Sequence, residues 1–498
     1  MDRRTDAARD EACKLSRATV FLGFWSLLLQ WGRFGIAAVV FLVIARWLSL
    51  AEIGAFAIAA APVRFLQVVH RNGIGEAVIL ARNGSMPVRD TDALFALSLL
   101  AAVASISVLL MAVEAVQRFG DAIQPVGPMM ASLSLVALFN GISAVSEGLL
   151  RQRLRIKALA IRTLTVQVAA ALAAICAARL GAGPWSLVLF LLLNAALGSV
   201  TALLLARWRP LGWPHISDLL RVAPNFAALS GQALVGNALQ PLFQLGVGIS
   251  LGLADAGAFQ IAWRFLGLLD TIAVAPLRFL ALPLLSAKAK TPDQMGAALI
   301  RGLQLTGLAI PLVYFGAAAV APDILSVFIG SGHAGASVEL LQILCLSGLA
   351  SAMSMVPVQA MIASGDARLV LWRNISNLVL AILFAWGTSW HSASAVAASI
   401  TSASIVIMIS VFALVPRRYG LGTGQALRAV LAPGLAGLIM ALTVYWIAAF
   451  GVVERLPDGL ALAVLVVIGT LLYGIFTSLF AKSACDELRR AIAGTEAA

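Results

Sequence analysis

The sequence predicts an all-α integral membrane protein of about fourteen transmembrane helices, arranged as two pseudo-symmetric six-helix bundles plus a C-terminal helix pair. Three observations predict it. Of the 498 residues 61% are hydrophobic and 12% charged, with a mean hydropathy of +0.96. An average soluble chain carries about a quarter charged residues, so the composition argues against soluble enzymes, nucleic-acid binders and disordered scaffolds. The apolar residues fall in runs long enough to cross a bilayer, which takes about 20 residues per helix. Finally, one ten-residue segment recurs at the same place in each set of six runs.

Taken in order, residues 1–18 form a basic N-tail with Arg3, Arg4, Arg9, Lys14 and Arg17. That tail looks like the start of a signal peptide. The apolar run behind it covers 19–45, however, which is too long for the roughly 7–15 residues of a signal core, so it reads as an uncleaved helix. Further runs at 53–80, 92–113, 129–150, 158–178 and 185–206 complete a first bundle over 19–206. A polar connector leads to runs at 223–250, 257–285, 296–321, 338–362, 375–390 and 393–415, a second bundle over 223–415. The final pair, 429–450 and 459–481, spans 429–481 and leaves a C-tail at 482–498. Only Trp390, His391 and Ser392 divide the runs on either side of them.

The net charge of +12 and pI near 10.4 would suggest nucleic acid in a soluble protein. Here the basic residues sit in short loops between apolar runs. One side of the span map carries 25 Lys and Arg, the other only Arg46, Arg118, Arg179 and Arg455. By the positive-inside rule both termini are cytoplasmic, in agreement with an even number of spans. Cys13, Cys176, Cys345 and Cys485 form no CxxC pattern, and His70, His215, His333 and His391 are as scattered. No metal, disulfide or cofactor is expected. There is no GxxxxGK[ST] loop for an ATP-driven pump, and no enzyme chemistry is expected.

The repeat pairs Leu50-Ala51-Glu52-Ile53-Gly54-Ala55-Phe56-Ala57-Ile58-Ala59 with Leu253-Ala254-Asp255-Ala256-Gly257-Ala258-Phe259-Gln260-Ile261-Ala262. Seven of ten positions are identical, an eighth exchanges Glu for Asp, and the spacing is 203 residues. Both copies open the second helix of a six-helix set. Because six is even, the sets share one orientation and a pseudo-axis along the membrane normal, as in parallel-repeat transporters. Two such bundles would enclose a cavity and work by alternating access.

Arg33, Arg64, Arg71, Arg162, Arg264 and Arg278 fall well inside the runs. An arginine facing hydrocarbon costs at least about 2.5–3.5 kcal/mol on insertion scales, so each should face protein or water. Arg64, Gln67 and Arg71 share a face at i, i+3 and i+7; Arg264, Thr271 and Arg278 repeat at i, i+7 and i+14; Gln30 lies beside Arg33. Only Glu76, Glu147 and Asp270 lie at similar depth. The cationic excess points to an anionic substrate such as a lipid pyrophosphate, whose oxygens the guanidinium fork can hold in pairs. Arg71, Arg162 and Arg278, near helix ends, have the alternative of snorkelling or pairing with the acids. Arg33, Arg64 and Arg264 are the principal substrate-binding candidates. The run at 223–250 is rich in amides, with Asn225, Gln232, Asn237, Gln240 and Gln244 around Pro241, and suits either a gate or a sugar-contacting wall. Gln30, Gln67, Arg71, Gln232, Asn237, Gln240 and Arg278 are the further cavity-lining candidates. Asp270 is the candidate for ion coupling, with a structural arginine partner as its alternative.

Ala45-Arg46-Trp47-Leu48 through Gly54 and on to Gly73-Ile74-Gly75 resembles the polysaccharide transporter family of lipid-linked oligosaccharide flippases. Leu149-Leu150-Arg151-Gln152-Arg153-Leu154-Arg155 with Ala160, Gly181-Ala182-Gly183-Pro184-Trp185 and Arg207-Trp208-Arg209-Pro210 carry the same resemblance. It covers the first six spans well and the rest more loosely. The resemblance implies the superfamily of multidrug, oligosaccharidyl-lipid and polysaccharide exporters. It also implies movement of an undecaprenyl-pyrophosphate-linked sugar across a bacterial inner membrane for exopolysaccharide, capsule or O-antigen synthesis. Partners so implied are the lipid-linked substrate, the bilayer, and a polymerase and chain-length proteins, with no nucleic acid. Related lipid II flippases line their cavity with arginines in spans 1, 2 and 8, the spans that hold Arg33, Arg64 and Arg264 here. A drug or cation antiporter on the same fold, and a non-transporting scaffold of a polysaccharide assembly, are the rival expectations; the first would call for a cavity rich in acids.

Overall fold

The computed structural model describes residues 2–80, 88–117, 125–278, 292–388, 390–450 and 456–480. Every regular element among them is helical, and thirteen helices are long and apolar enough to cross a membrane. The all-helical, multi-pass fold thus matches the expectation. The C-tail at 482–498 lies outside the described residues.

The chain divides into two compact units. The first comprises Met1–Leu48 and Ala55–Leu242. It opens with α1 (Asp2–Ala45), so that the basic tail and the first span form one helix, apolar from Gly23. Next come α2 (Leu50–Val68), a π-helical segment π1 (Val69–Ile74) and the short α3 (Gly75–Leu80). The remaining helices are α4 (Val88–Gln117), α5 (Val126–Gln152), α6 (Ile156–Arg179), α7 (Trp185–Ala206) and α8 (Ile216–Gly236). The turn before α7 needs left-handed backbone at Gly181 (φ 85°) and Gly183 (φ 55°), which glycine adopts without strain. Pro184 then opens the helix. Ile74, Val78, Ala93, Leu94, Val145, Leu149 and Val222 form one buried cluster where α3, α4, α5 and α8 meet π1.

The second unit comprises Ser49–Gly54 and Phe243–Ala498. It contains most of α9 (Leu239–Ser250), then α10 (Leu253–Leu269), continued by a second π-helical segment, π2 (Asp270–Val274). Then follow α11 (Pro292–Ala319), α12 (Ala321–Ile329), α13 (Ser331–Met353), α14 (Met355–Ala363) and α15 (Ala367–Gly387). The last helices are α16 (Ala393–Arg418), α17 (Thr423–Ala449) and α18 (Asp458–Phe480). The closing pair α17 and α18 packs on α11 and α12 through Ala436, Met440, Val444, Leu465 and Tyr473. The Tyr473 hydroxyl donates to the Leu308 carbonyl at 2.8 Å.

The recurring decapeptide has a mechanical meaning. Ser49 and Glu52 make a reciprocal capping box at the start of α2: the Ser49 N–H donates to Glu52 Oε2 at 2.8 Å and the Glu52 N–H donates to Ser49 Oγ at 3.2 Å. Four residues beyond each of the two leucines that open the copies, Gly54 and Gly257 stand against backbone. A Cβ on Gly54 would meet the Leu253 carbonyl, and one on Gly257 would meet that of Leu50 and lie 3.2 Å from the Gly54 nitrogen. Each copy therefore supplies both a glycine and the carbonyl that the other glycine receives.

Two expected spans are corrected. The run at 223–250 is not one helix, and neither piece qualifies as a span alone. It breaks at Asn237 and Ala238 because Pro241 has no N–H to offer the carbonyl four residues back, that of Asn237. Asn237 bridges the gap with its side chain, whose Nδ2 donates to the Ala233 carbonyl at 2.8 Å. The expected helix at 375–390 instead begins at Ala367. Arg368, Arg373 and Asn374, which precede the expected run, form the first turns of α15.

Candidate substrate-binding arginines

In the first unit, Gly32 lets α1 approach α6 until the Leu164 side chain occupies the place of a Cβ. One residue on, the Arg33 carbonyl accepts from Nε2 of buried Gln167 at 2.7 Å. This fixes the depth of Arg33, whose half-buried guanidinium lies 5.3 Å from the Phe34 ring. Arg64 is half-buried on α2, two residues past Pro62, with its guanidinium 5.8 Å from the Phe56 ring. It has no carboxylate partner among the described residues. Gln67 is half-buried, Gln30 exposed. Gln232 and Asn237 are exposed and Gln240 half-buried, all around the break in the amide-rich run.

Arg162 differs. Its Nη2 lies 2.9 Å from Glu147 Oε1 and its Nε donates to Thr201 Oγ1 at 3.1 Å, tying α6 to α5 and α7. Of its two sequence readings, pairing is the one the structure shows. The side chains of Arg71 and Glu76 lie outside the described ones.

In the second unit, half-buried Arg264 on α10 and exposed Arg278 bracket π2. The expected stripes, Arg64 to Arg71 and Arg264 to Arg278, assumed an unbroken 3.6-residue turn. A π segment closes i→i+5 bonds, widening the turn and shifting the phase of everything after it, so the stripes do not continue straight. Asp270 opens π2 and accepts from the phenol of Tyr314 on α11, a side chain only 1% exposed. Gly348 on α13 leaves room for that ring. Asp270's hydrogen-bond partner is thus a tyrosine, where an arginine was the structural alternative, while Arg278 remains within electrostatic reach. Sequence reading also missed Arg373, half-buried on α15 and an electrostatic neighbour of Arg278, with Nη1 donating to Asn374 at 3.2 Å. Its position inside a helix was the available signal, hidden when the span was started at 375.

Chemically, the guanidinium groups of Arg33, Arg64, Arg264, Arg278 and Arg373 are forked donors of the kind that suits phosphate oxygens. No group of three or more His, Cys, Asp or Glu among the described residues is placed to hold a metal ion.

A curated relative, the succinoglycan biosynthesis transport protein ExoT of Rhizobium meliloti (strain 1021), is 24% identical over 315 residues. The alignment covers 62% of this chain and 62% of the relative's length. Among solved structures, the lipid II flippase MurJ in an inward closed conformation superposes with TM-score 0.73 at 15% identity, over 93% of this chain and 99% of that one. An inward-facing multidrug resistance MATE family transporter of the MOP superfamily superposes with TM-score 0.65 at 16% identity, covering 78% and 94%. At these identities the likeness shows the fold. The family model described as polysaccharide biosynthesis protein matches residues 43–338, more than half the chain and across α2 to α12. By that match, the chain belongs to the polysaccharide biosynthesis protein family.

Proposed function

We propose that the protein is a flippase that carries a lipid-linked oligosaccharide, joined through undecaprenyl pyrophosphate, from the cytoplasmic to the periplasmic leaflet of a bacterial inner membrane. The product feeds exopolysaccharide, capsule or O-antigen synthesis, and a polymerase and chain-length proteins are the proposed partners. Family membership and the names of the relatives support a polysaccharide transport role. The observation that carries the substrate class is Arg64: a half-buried guanidinium on a membrane helix with no carboxylate partner among the described residues.

In the proposed mechanism Arg33, Arg64 and Arg264 hold the pyrophosphate, with Gln30, Gln67, Arg71, Gln232, Asn237, Gln240 and Arg278 around the head group, while the prenyl chain stays in lipid. Alternating access then presents the sugar outside, and an ion gradient acting through Asp270 resets the carrier. A drug or cation antiporter calls for a cavity rich in acids, and of the acids described at this depth Glu147 is already paired with Arg162, which favours the anionic substrate. A scaffold without transport activity would tolerate loss of the arginines.

The test is export in a strain lacking the gene and carrying membrane-inserted variants. Arg33→Ala, Arg64→Ala and Arg264→Ala should each abolish export. The corresponding Lys variants should restore part of it, because an ammonium keeps the charge and loses the fork. Normal export by all three Ala variants would sink the phosphate reading and favour the scaffold.

A further inference from the structure

Twelve residues long, α9 is too short to cross a membrane by itself, so its position is set by what it packs against. In the second unit, buried Gln244 holds it to α10 through the hydrogen bond from Nε2 to the Ala256 carbonyl at 2.9 Å. Phe243 and Gly246, three residues apart and therefore on one face of the helix, receive the side chain of Trp390. The buried Phe243 ring is stacked on the indole, with centroids 5.8 Å apart and planes 21° from parallel. Beside that stack, Cη2 and Cζ3 of the indole occupy the place that a Cβ would take on Gly246. Ring and notch fit one another.

The backbone that delivers the ring is strained. Trp390 lies between Thr388, the C-cap of α15, and Ser392, whose side chain caps α16 by accepting from the Ala395 N–H at 3.1 Å. With both ends of this short connection pinned, Trp390 takes a φ of 53°, left-handed backbone that crowds any Cβ and is a clear outlier for so bulky a residue. Such strain persists only where the surrounding contacts over-determine it. Here those contacts are the stack on Phe243 and the notch at Gly246.

We propose that Trp390 is a positioning residue for transport: it fastens α9 to the connection between α15 and α16, so that the break at Asn237 and Ala238, and not α9, takes up any change in the path of this segment. The other side of the break is fastened separately, with Phe226 and Ser230 of α8 against Gly73 of π1 in the first unit. Across the break itself the described side-chain bond is the one from Asn237 Nδ2 to the Ala233 carbonyl, which leaves α9 free of it. Bending is thus directed to the two residues between the fastenings. The role in transport rests on the flippase reading; the fastening of α9 does not.

The experiment compares Trp390→Ala, Trp390→Gly, Trp390→Phe and Gly246→Ala with the wild type. Melting temperature and amide hydrogen exchange are read on the full chain in lipid nanodiscs, and export per membrane-inserted molecule in a strain lacking the gene. Trp390→Ala removes the ring and keeps the strained backbone, so α9 amides should exchange roughly tenfold faster while α8 and α16 stay unchanged, and export should fall by a similar factor. Trp390→Gly removes the ring and relieves the backbone. It should melt above Trp390→Ala and yet exchange and export no better, a split that a merely structural residue would not produce. Trp390→Phe keeps a ring to stack on Phe243 and should recover part of both. Gly246→Ala should expel the indole and reproduce Trp390→Ala, and combining the two should be no worse than Trp390→Ala alone. Wild-type exchange of α9 in Trp390→Ala, or in Gly246→Ala where the former does not insert, would overturn the fastening. Normal export despite faster exchange, or export that simply follows melting temperature across the variants, would overturn the positioning role. Failure of the flippase reading shows elsewhere, as normal export by the alanine variants of Arg33, Arg64 and Arg264, and leaves the exchange result standing.

Discussion

Breaking the Arg162–Glu147 pair should cost unequal amounts depending on which partner is removed. The two side chains differ in access to the surroundings, 9% exposed for Arg162 and 31% for Glu147. Glu147→Ala leaves a desolvated guanidinium with Thr201 alone as hydrogen-bond partner, in the range of about 3–5 kcal/mol for an uncompensated buried charge. Arg162→Ala leaves a carboxylate that can turn toward water, at a smaller cost of at most about 1–3 kcal/mol. Removing both should cost less than the sum, because the uncompensated guanidinium is then gone. Denaturant unfolding in mixed micelles, read by tryptophan fluorescence, gives the three values of the cycle. A larger loss for Arg162→Ala than for Glu147→Ala, or additive losses, would refute the idea that Glu147 is there to neutralise a buried arginine. Export by the Arg162 variant, once corrected for its abundance in the membrane, should stay normal, in contrast to Arg64→Ala.

Three further outcomes are expected. A reporter active only outside the cytoplasm should be silent when fused after Lys482 and active near Asp255; activity after Lys482 would contradict two cytoplasmic termini. Gly257→Ala and Gly54→Ala should each destabilise by about 1–3 kcal/mol or more, because the added methyl meets backbone that cannot rotate away; an unchanged midpoint for both would mean that the carbonyl contacts do not form in the membrane. Asp323, on α12 between two spans, has its carboxyl pushed above the usual range by burial and then by the charge of Asp458. The folded protein therefore holds that proton more tightly than the unfolded chain. Stability should fall as pH rises from the ordinary carboxylate range through the raised value, and Asp323→Asn should flatten that slope in a pH series of melting curves.

Apolar run length made the helical, multi-pass fold legible, because lipid imposes that length on any spanning helix. The repeat was legible as a pattern, but not as a pair of glycines placed against each other's helix start, which needs three dimensions. Where single residues decide the backbone the reading was uneven. Pro241 was visible in the sequence, yet the break falls at Asn237, four residues earlier, where the unbonded carbonyl lies. Partners distant in sequence left no trace: Arg162 finds Glu147 15 residues away, and Asp270 finds Tyr314 44 residues away. The two π segments carry no compositional mark, and with them went the assumption that the arginine stripes run straight. Arg373 was lost to the habit of starting a span at its first unbroken apolar stretch.

The broken amide-rich helix also bears on how the chain is made. Neither α8 nor α9 is both long and apolar enough to cross the bilayer as an independent span. What receives α8, however, has already left the ribosome when it emerges: its Phe226 and Ser230 settle against Gly73 of π1, and its foot against α4. What receives α9 has not. Gln244 Nε2 donates to the Ala256 carbonyl at 2.9 Å, and Phe243 stacks on Trp390 with ring centroids 5.8 Å apart, so its final contact waits for almost 150 more residues of synthesis. Co-translational insertion of this helix would therefore occur in two acts, and a nascent chain stalled before Trp390 would hold one half seated and the other still in search of its place.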